Sequence, residues 1–132
     1  MRRRLLGSAL VIILILTTAL AAGCGGKDAK TIFQTYMDAM VKGDYTTAYA
    51  QFTTRVKGEI TSDDFAKALK AEAESKGPVV RYEIKNVEYH GATSTVITAT
   101  VYRKKGNDAE TSETKQYGFI IDSGQGWRLG NY

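Results

Sequence analysis

Gly77-Pro78-Val79-Val80-Arg81-Tyr82-Glu83-Ile84-Lys85-Asn86-Val87-Glu88-Tyr89 is the stretch at which the chain changes its period. Upstream of it, apolar residues recur every three or four positions, as on one face of a helix. Within it they alternate, as on one face of a strand. Pro78 cannot continue a helix, because it lacks the amide hydrogen and its ring collides with the preceding turn. Val80, Tyr82 and Ile84 share one parity and Val87 and Tyr89 the other, so one extra residue near Lys85-Asn86, a β-bulge, is expected to return both sets to one face.

Downstream the alternation continues. His90-Gly91-Ala92 reads as a tight turn into Thr93 to Arg103, where Ile97, Ala99 and Val101 alternate with Val96, Thr98, Thr100 and Tyr102. Gly106-Asn107-Asp108 marks the next turn, Tyr117, Phe119 and Ile121 a third strand, and Ser123-Gly124-Gln125-Gly126 returns the chain into Trp127-Arg128-Leu129. Four consecutive strands joined by turns make an antiparallel meander. Its inner face is expected to carry Tyr82, Ile84, Val87, Tyr89, Ile97, Ala99, Val101, Tyr117, Phe119 and Ile121.

Upstream, Asp28 is a helix N-cap, and Ile32, Phe33, Tyr36, Met37, Met40 and Val41 form one apolar stripe that ends at Gly43, a left-handed C-cap. Asp44 caps a shorter helix with the stripe Tyr45, Ala48, Tyr49 and Phe52. After a polar bridge, Thr61 caps a helix by pairing with the Asp64 amide, with Ile60 and Phe65 in staple positions. Phe65, Ala68 and Leu69 are expected to face inward. The fold class is therefore α+β: about three N-terminal helices packed on a curved four-stranded antiparallel sheet.

The first 24 residues carry a different message. Arg2, Arg3 and Arg4 precede an uncharged apolar segment from Leu5 to Leu20, and Leu20-Ala21-Ala22-Gly23-Cys24 follows. This resembles a bacterial lipoprotein signal peptide with its lipobox, although Ala21 stands where Leu is usual and Leu20 lies one place further back. The resemblance implies removal of residues 1–23 and attachment of a diacylglycerol, with acyl chains such as palmitate, to the Cys24 thiol. The division expected is a signal peptide at 1–23, a lipidated cysteine and linker at 24–27, and one domain at 28–132. The place expected is the extracytoplasmic face of the cell membrane. An uncleaved membrane-spanning anchor is the alternative, since Leu5 to Ala22 approaches the ~18 residues that a span requires; a plain secretory signal is another. Both also leave the domain outside the cytoplasm.

Charge and cysteine usage narrow the partners. Three of the 18 Lys and Arg residues are Arg2–Arg4, so the part after residue 23 holds 15 against 14 Asp and Glu. Such a near-neutral domain lacks the excess positive charge of a nucleic-acid binder. Its densest basic cluster, Arg103-Lys104-Lys105, reads as a solvated loop end. Cys24 is the single cysteine, so no disulfide can form within the chain.

Lys42-Gly43-Asp44-Tyr45 with Ala48-Tyr49 resembles the first helix junction of lipoprotein domains in the nuclear transport factor 2-like superfamily. Thr61 to Leu69 resembles their third helix, and Gly126-Trp127-Arg128-Leu129 their closing strand. The resemblance spans about residues 28–132. It implies a cone with a cavity at the wide end, in a superfamily that contains ketosteroid isomerases and polyketide cyclases as well as many binding modules.

Enzymes of that superfamily need an inward carboxylate or a His-Asp pair. No expected inner position is acidic: Glu83, Glu88 and Glu113 fall on the other parity or near strand ends, Asp38 lies off the helical stripe, and Asp44 serves as a cap. His90, the single histidine, sits beside Gly91 in a turn. No cluster has metal-ligand spacing, so no catalytic residue, metal or cofactor is expected. Eight tyrosines suggest a pocket, with Tyr36, Tyr49, Tyr82, Tyr89, Tyr117 and Trp127 as its candidate lining, unless these rings simply pack the core. The function expected is a lipid-anchored binding or interaction module of the cell envelope. It would engage the membrane through Cys24 and an envelope protein or small apolar ligand, and possible self-association runs through the sheet face of Val96, Thr98, Thr100 and Tyr102. The alternatives are a small enzyme of the isomerase or cyclase kind and an accessory subunit of an envelope complex.

Overall fold

The computed structural model describes residues 28–131, in the order α1 (Ala29–Lys42), α2 (Tyr45–Ala50), α3 (Thr54–Glu59), α4 (Ser62–Lys76), β1 (Val79–His90), β2 (Ser94–Arg103), β3 (Thr111–Asp122) and β4 (Gly126–Leu129). The lipobox and Cys24 lie outside the described residues. Among those described, no helix is long and apolar enough to cross a membrane.

Every helix opens on a side-chain cap. The carboxylate of Asp28 accepts from the Thr31 amide at 2.8 Å, that of Asp44 from the Thr47 amide at 3.1 Å, and the Thr61 hydroxyl from the Asp64 amide at 3.2 Å. At the end of α1, Gly43 takes φ 69° while its amide donates to Met40 and the Asp44 amide donates to Ala39. This paired closure satisfies two carbonyls that the helix leaves open. Asp44 thus finishes one helix with its backbone and starts the next with its side chain, which folds α1 and α2 into a hairpin.

The polar bridge expected between the second and third helices is itself a helix, so the described residues hold four rather than about three. Thr53 caps α3 through Val56, the one α3 residue that is buried. Gly58 and the β-branched residues give this segment little intrinsic helicity; its place is fixed by tertiary bonds. The Thr54 amide and hydroxyl both donate to Asp122 Oδ2 at 2.9 Å, and Arg55 donates to the Gly130 carbonyl at 2.8 Å.

The sheet is an antiparallel meander in the order β1-β2-β3-β4. The register of β1 on β2 slips between Ile84 and Asn86, where the bulge was expected, so that Tyr82, Ile84, Val87 and Tyr89 stand opposite Val101, Ala99, Ile97 and Thr95. β4 is short and pairs only with Phe119–Asp122 of β3.

Phe33 on α1 meets Tyr82, Tyr117 and Phe119 at ring-centroid separations of 5.7, 5.1 and 6.2 Å, which ties the helix layer to β1 and β3. A second aromatic cluster of Tyr36, Tyr49, Phe52 and Phe65 joins the helices to one another. Five expectations for burial need correction. Val41, at the end of the α1 stripe, is exposed, and so is Val80, because a register slip between Val79 and Arg81 leaves Val79 buried instead. Ala68 is exposed, because α4 turns only Phe65 fully toward the core. Tyr89 and Ile121 hold the inner parity, yet are 72% and 44% exposed, since the sheet extends past the helices that cover it.

Candidate functional site

The helix layer meets the two ends of the sheet differently. At the β4 end, α3 is stitched to the β3–β4 turn through Thr54, Asp122 and Gln125. At the opposite end, the last turns of α4 stand apart from the start of β3 and leave a cleft. Its inner part, about 60 Å³, lies among Tyr36, Met37, Met40, Leu69, Val101 and Tyr117. Its outer part, about 370 Å³, opens between Ser75 and Lys76 on α4 and Lys105, Asp108 and Ser112 beyond β2. Val101, Arg103 and Glu113 border both parts. The inner part has room for only one or two waters, whereas the outer part reaches the lower range of small-molecule sites.

Arg103 spans the cleft wall. Its Nη2 lies 3.1 Å from Glu72 Oε1, and its Nη1 donates to the Gly77 carbonyl at 3.0 Å. The side chain is only 12% exposed, so Arg103 is not part of a solvated basic loop end; Lys104 and Lys105 alone are exposed. Lys76 shares the same Glu72 oxygen at 3.6 Å. Gly77 makes this geometry available: at φ 89°, a Cβ there would fall 2.6 Å from the Lys104 carbonyl carbon and the Lys105 nitrogen.

Glu113 is exposed near the start of β3, and its parity is the inner one. It stands opposite Val101 in the ladder and therefore shares the inner parity with Lys115 and Tyr117. Counting parity back from Tyr117 reveals it; the strand's polar start concealed it. Burial, with the Glu113 charge as the next cause, pushes the Tyr117 phenol up to about 12. At neutral pH this hydroxyl is a hydrogen-bond donor rather than a base.

Of the six residues expected to line a pocket, the structure brings two together at the cleft, Tyr36 and Tyr117, with ring centroids 6.2 Å apart. The others are elsewhere. The Tyr49 hydroxyl donates to the Ile60 carbonyl at 2.8 Å and ties α2 to the end of α3. The Tyr82 hydroxyl donates to Asp38 Oδ1 at 2.8 Å, and burial together with that bond raises it to about 12. Tyr89 stands exposed near the β1–β2 turn, and Trp127 lies half-buried opposite Ile121 on β4.

The outer sheet face is largely polar. Thr100 and Thr114 hydroxyls meet at 3.0 Å, and the Arg81 guanidinium lies 3.4 Å above the Tyr102 ring while pairing with Glu110 at 2.6 Å. Among the described residues, no group of three His, Cys, Asp or Glu side chains is placed to hold a metal ion.

No protein-family model and no curated protein matches the chain. Solved structures do. A SEC-C motif containing protein from Rhodopseudomonas palustris superposes with a TM-score of 0.60 at 10% identity over 76% of this chain and 73% of that one. A candidate NTF2-like transpeptidase from Campylobacter jejuni gives 0.59 at 13% identity, over 80% and 100%. A ketosteroid isomerase-like protein from Erwinia carotovora atroseptica gives 0.56 at 16% identity, over 77% and 88%. The chain has the nuclear transport factor 2-like cone fold, and at these identities the likeness extends to fold alone.

Proposed function

We propose that this chain is a lipid-anchored, extracytoplasmic binding module that takes a small, largely apolar ligand at the cleft between α4 and β3. The anchoring part of the reading comes from the sequence Leu20-Ala21-Ala22-Gly23-Cys24 and its resemblance to a lipobox. The binding part is carried by one observation, the Tyr117 phenol facing a cleft floored by Met37, Met40, Leu69 and Val101. An apolar floor beneath a few convergent polar groups is the usual chemistry of a ligand site.

Glu72 is held by Arg103 and Lys76, which suits a wall rather than a proton shuttle. Two experiments test the two parts separately. Cys24→Ser is expected to move the protein out of the membrane fraction or leave it unprocessed; unchanged partitioning overturns the anchor. Thermal-shift screening of hydrophobic small molecules against the purified protein is expected to give hits that Tyr117→Phe weakens. Absence of any hit, together with no co-purifying mass in native mass spectrometry, overturns the binding part.

A second reading, an enzyme of the isomerase or cyclase kind, is favoured by Glu113, an exposed carboxylate at the cleft rim on the same sheet face as Tyr117, four residues along β3. There Glu113 would take a proton while Tyr117 donates to a developing oxyanion. Turnover of a carbonyl substrate that Glu113→Gln abolishes would establish it. Self-association through the face of Val96, Thr98, Thr100 and Tyr102 belongs to the first reading, and purely monomeric sedimentation removes that part.

A further inference from the structure

Among the described residues, three of the five large apolar side chains that stand exposed, Tyr89, Ile120 and Ile121, lie at the end of the sheet where β1 meets β2 and β3 meets β4. They are 72%, 43% and 44% exposed. Helix α1 points its N-terminus toward this same end. Met37 and Met40, in its second half, border Val79 and Val101 at the cleft, whereas Phe33, one turn earlier, stands among Tyr82, Tyr117 and Phe119 and so reaches further along β3. Another turn back along the axis leads to Asp28, on the side where Phe119 pairs with Thr95 and Thr95 with Tyr89.

Only three residues, Gly25-Gly26-Lys27, and hence four Cα-to-Cα steps, separate Cys24 from Asp28. Fully extended, they reach about 14 Å. A diacylglycerol on Cys24 therefore keeps this end against the headgroups, while the 14 residues of α1 carry the cleft about 20 Å further out. Tyrosine is a side chain suited to that depth, with an apolar ring and a hydroxyl that stays hydrated.

Resting on the anchored reading above, we infer that the sheet end bearing Tyr89 and Ile121 docks on the bilayer interface, so that the cleft opens away from the membrane toward ligands dissolved in the envelope. Charge is not what holds it there. Arg55, which borders Ser94 and Ile120, and Arg128, which stands opposite Ile120, are offset by Asp122 and by Glu88, 3.5 Å from His90. Docking therefore needs no anionic lipid, and neutral phosphatidylcholine suffices.

The test uses the full lipid-modified chain in phosphatidylcholine vesicles with brominated acyl chains. Trp127 is the sole tryptophan, so Trp127→Phe supplies a dark background for Tyr89→Trp and, at the far end of β1, Val80→Trp. The indole at position 89 is expected to lose about half its emission or more in brominated relative to ordinary lipid, with position 80 unchanged. Protein that floats with the vesicles while both indoles stay bright overturns the docking alone. Protein that does not float overturns the anchored reading and the docking together. Equal quenching at both ends overturns the orientation. If the Trp127→Phe background does not fold, hydrogen exchange of the unsubstituted chain on vesicles reads the same contact. Protection at 89–94 with none at 104–110 supports docking, and no protection at 89–94 overturns it.

Discussion

Arg103 on β2 and Glu72 on α4 clamp the cleft from its two sides, with 3.1 Å between Nη2 and Oε1 and the arginine nearly out of water. Because the same guanidinium also serves the Gly77 carbonyl at 3.0 Å, removing it takes a donor from two acceptors at once, leaving Glu72 only Lys76 at 3.6 Å. Arg103→Ala is expected to cost about 1–3 kcal/mol, the range for charge-assisted bonds with partial exposure. Arg103→Lys should recover only part of this, since one ammonium cannot reproduce the planar fork. Thermal denaturation of the two variants and of Glu72→Gln, as a double-mutant cycle, checks it. Equal melting temperatures for Arg103→Ala and the parent would remove the clamp.

Gly77→Ala should be among the most damaging single changes outside the core. A methyl group there meets backbone at 2.6 Å in a region of φ that side chains avoid, so the loss is on the order of 3 kcal/mol. Gly43→Ala is the control, at φ 69° with nothing within 4 Å, and should cost only about 1 kcal/mol. Chemical denaturation of both variants reports the difference, and equal losses would contradict the close approach.

Thr95→Val is expected to stabilise the fold. Thr95 is fully buried, and among the described residues its hydroxyl has no hydrogen-bond partner. Replacing that hydroxyl with a methyl group of similar volume removes the desolvation cost, a gain of about 1 kcal/mol. A lower melting temperature would reveal a partner for the hydroxyl.

Alkaline pH should unfold the domain through Tyr82 and Tyr117. Both are raised to about 12 from an ordinary value of 10.0, Tyr82 by burial and the Asp38 bond, Tyr117 by burial and Glu113. The unfolded chain therefore releases these protons first, so the associated stability is intact below pH 10 and is lost as pH rises toward 12. Ultraviolet titration should show two late phenols, and Tyr82→Phe should flatten the alkaline limb of stability against pH. A limb that stays as steep in the Tyr82→Phe, Tyr117→Phe double variant would refute this account.

Local chemistry made much of this fold legible. The parity switch across Lys85-Asn86 located the bulge, and Asp28, Gly43, Asp44 and Thr61 located helix ends, because each requirement is met within a few residues. What escaped depends on distant parts of the chain. α3 is set by Asp122 and Gly130 rather than by its own propensity. Parity assigned Tyr89 and Ile121 to the inner face but could not tell how far the helices reach. The clustering of Tyr36 with Tyr117, and the separation of Tyr49, Tyr82, Tyr89 and Trp127 from them, follow from which helix crosses which strand, a relation that spacing along the sequence does not encode.

The brevity of β4 has a consequence for how the protein behaves in a crowd. Since β4 covers only Phe119–Asp122, β3 offers bare backbone from Thr111 to Gln116, the kind of margin onto which a foreign strand can zip. Glu113 and Lys115 occupy that margin, so an incoming copy in register would set like charges side by side. Neutralising both would open a route to fibrous self-stacking.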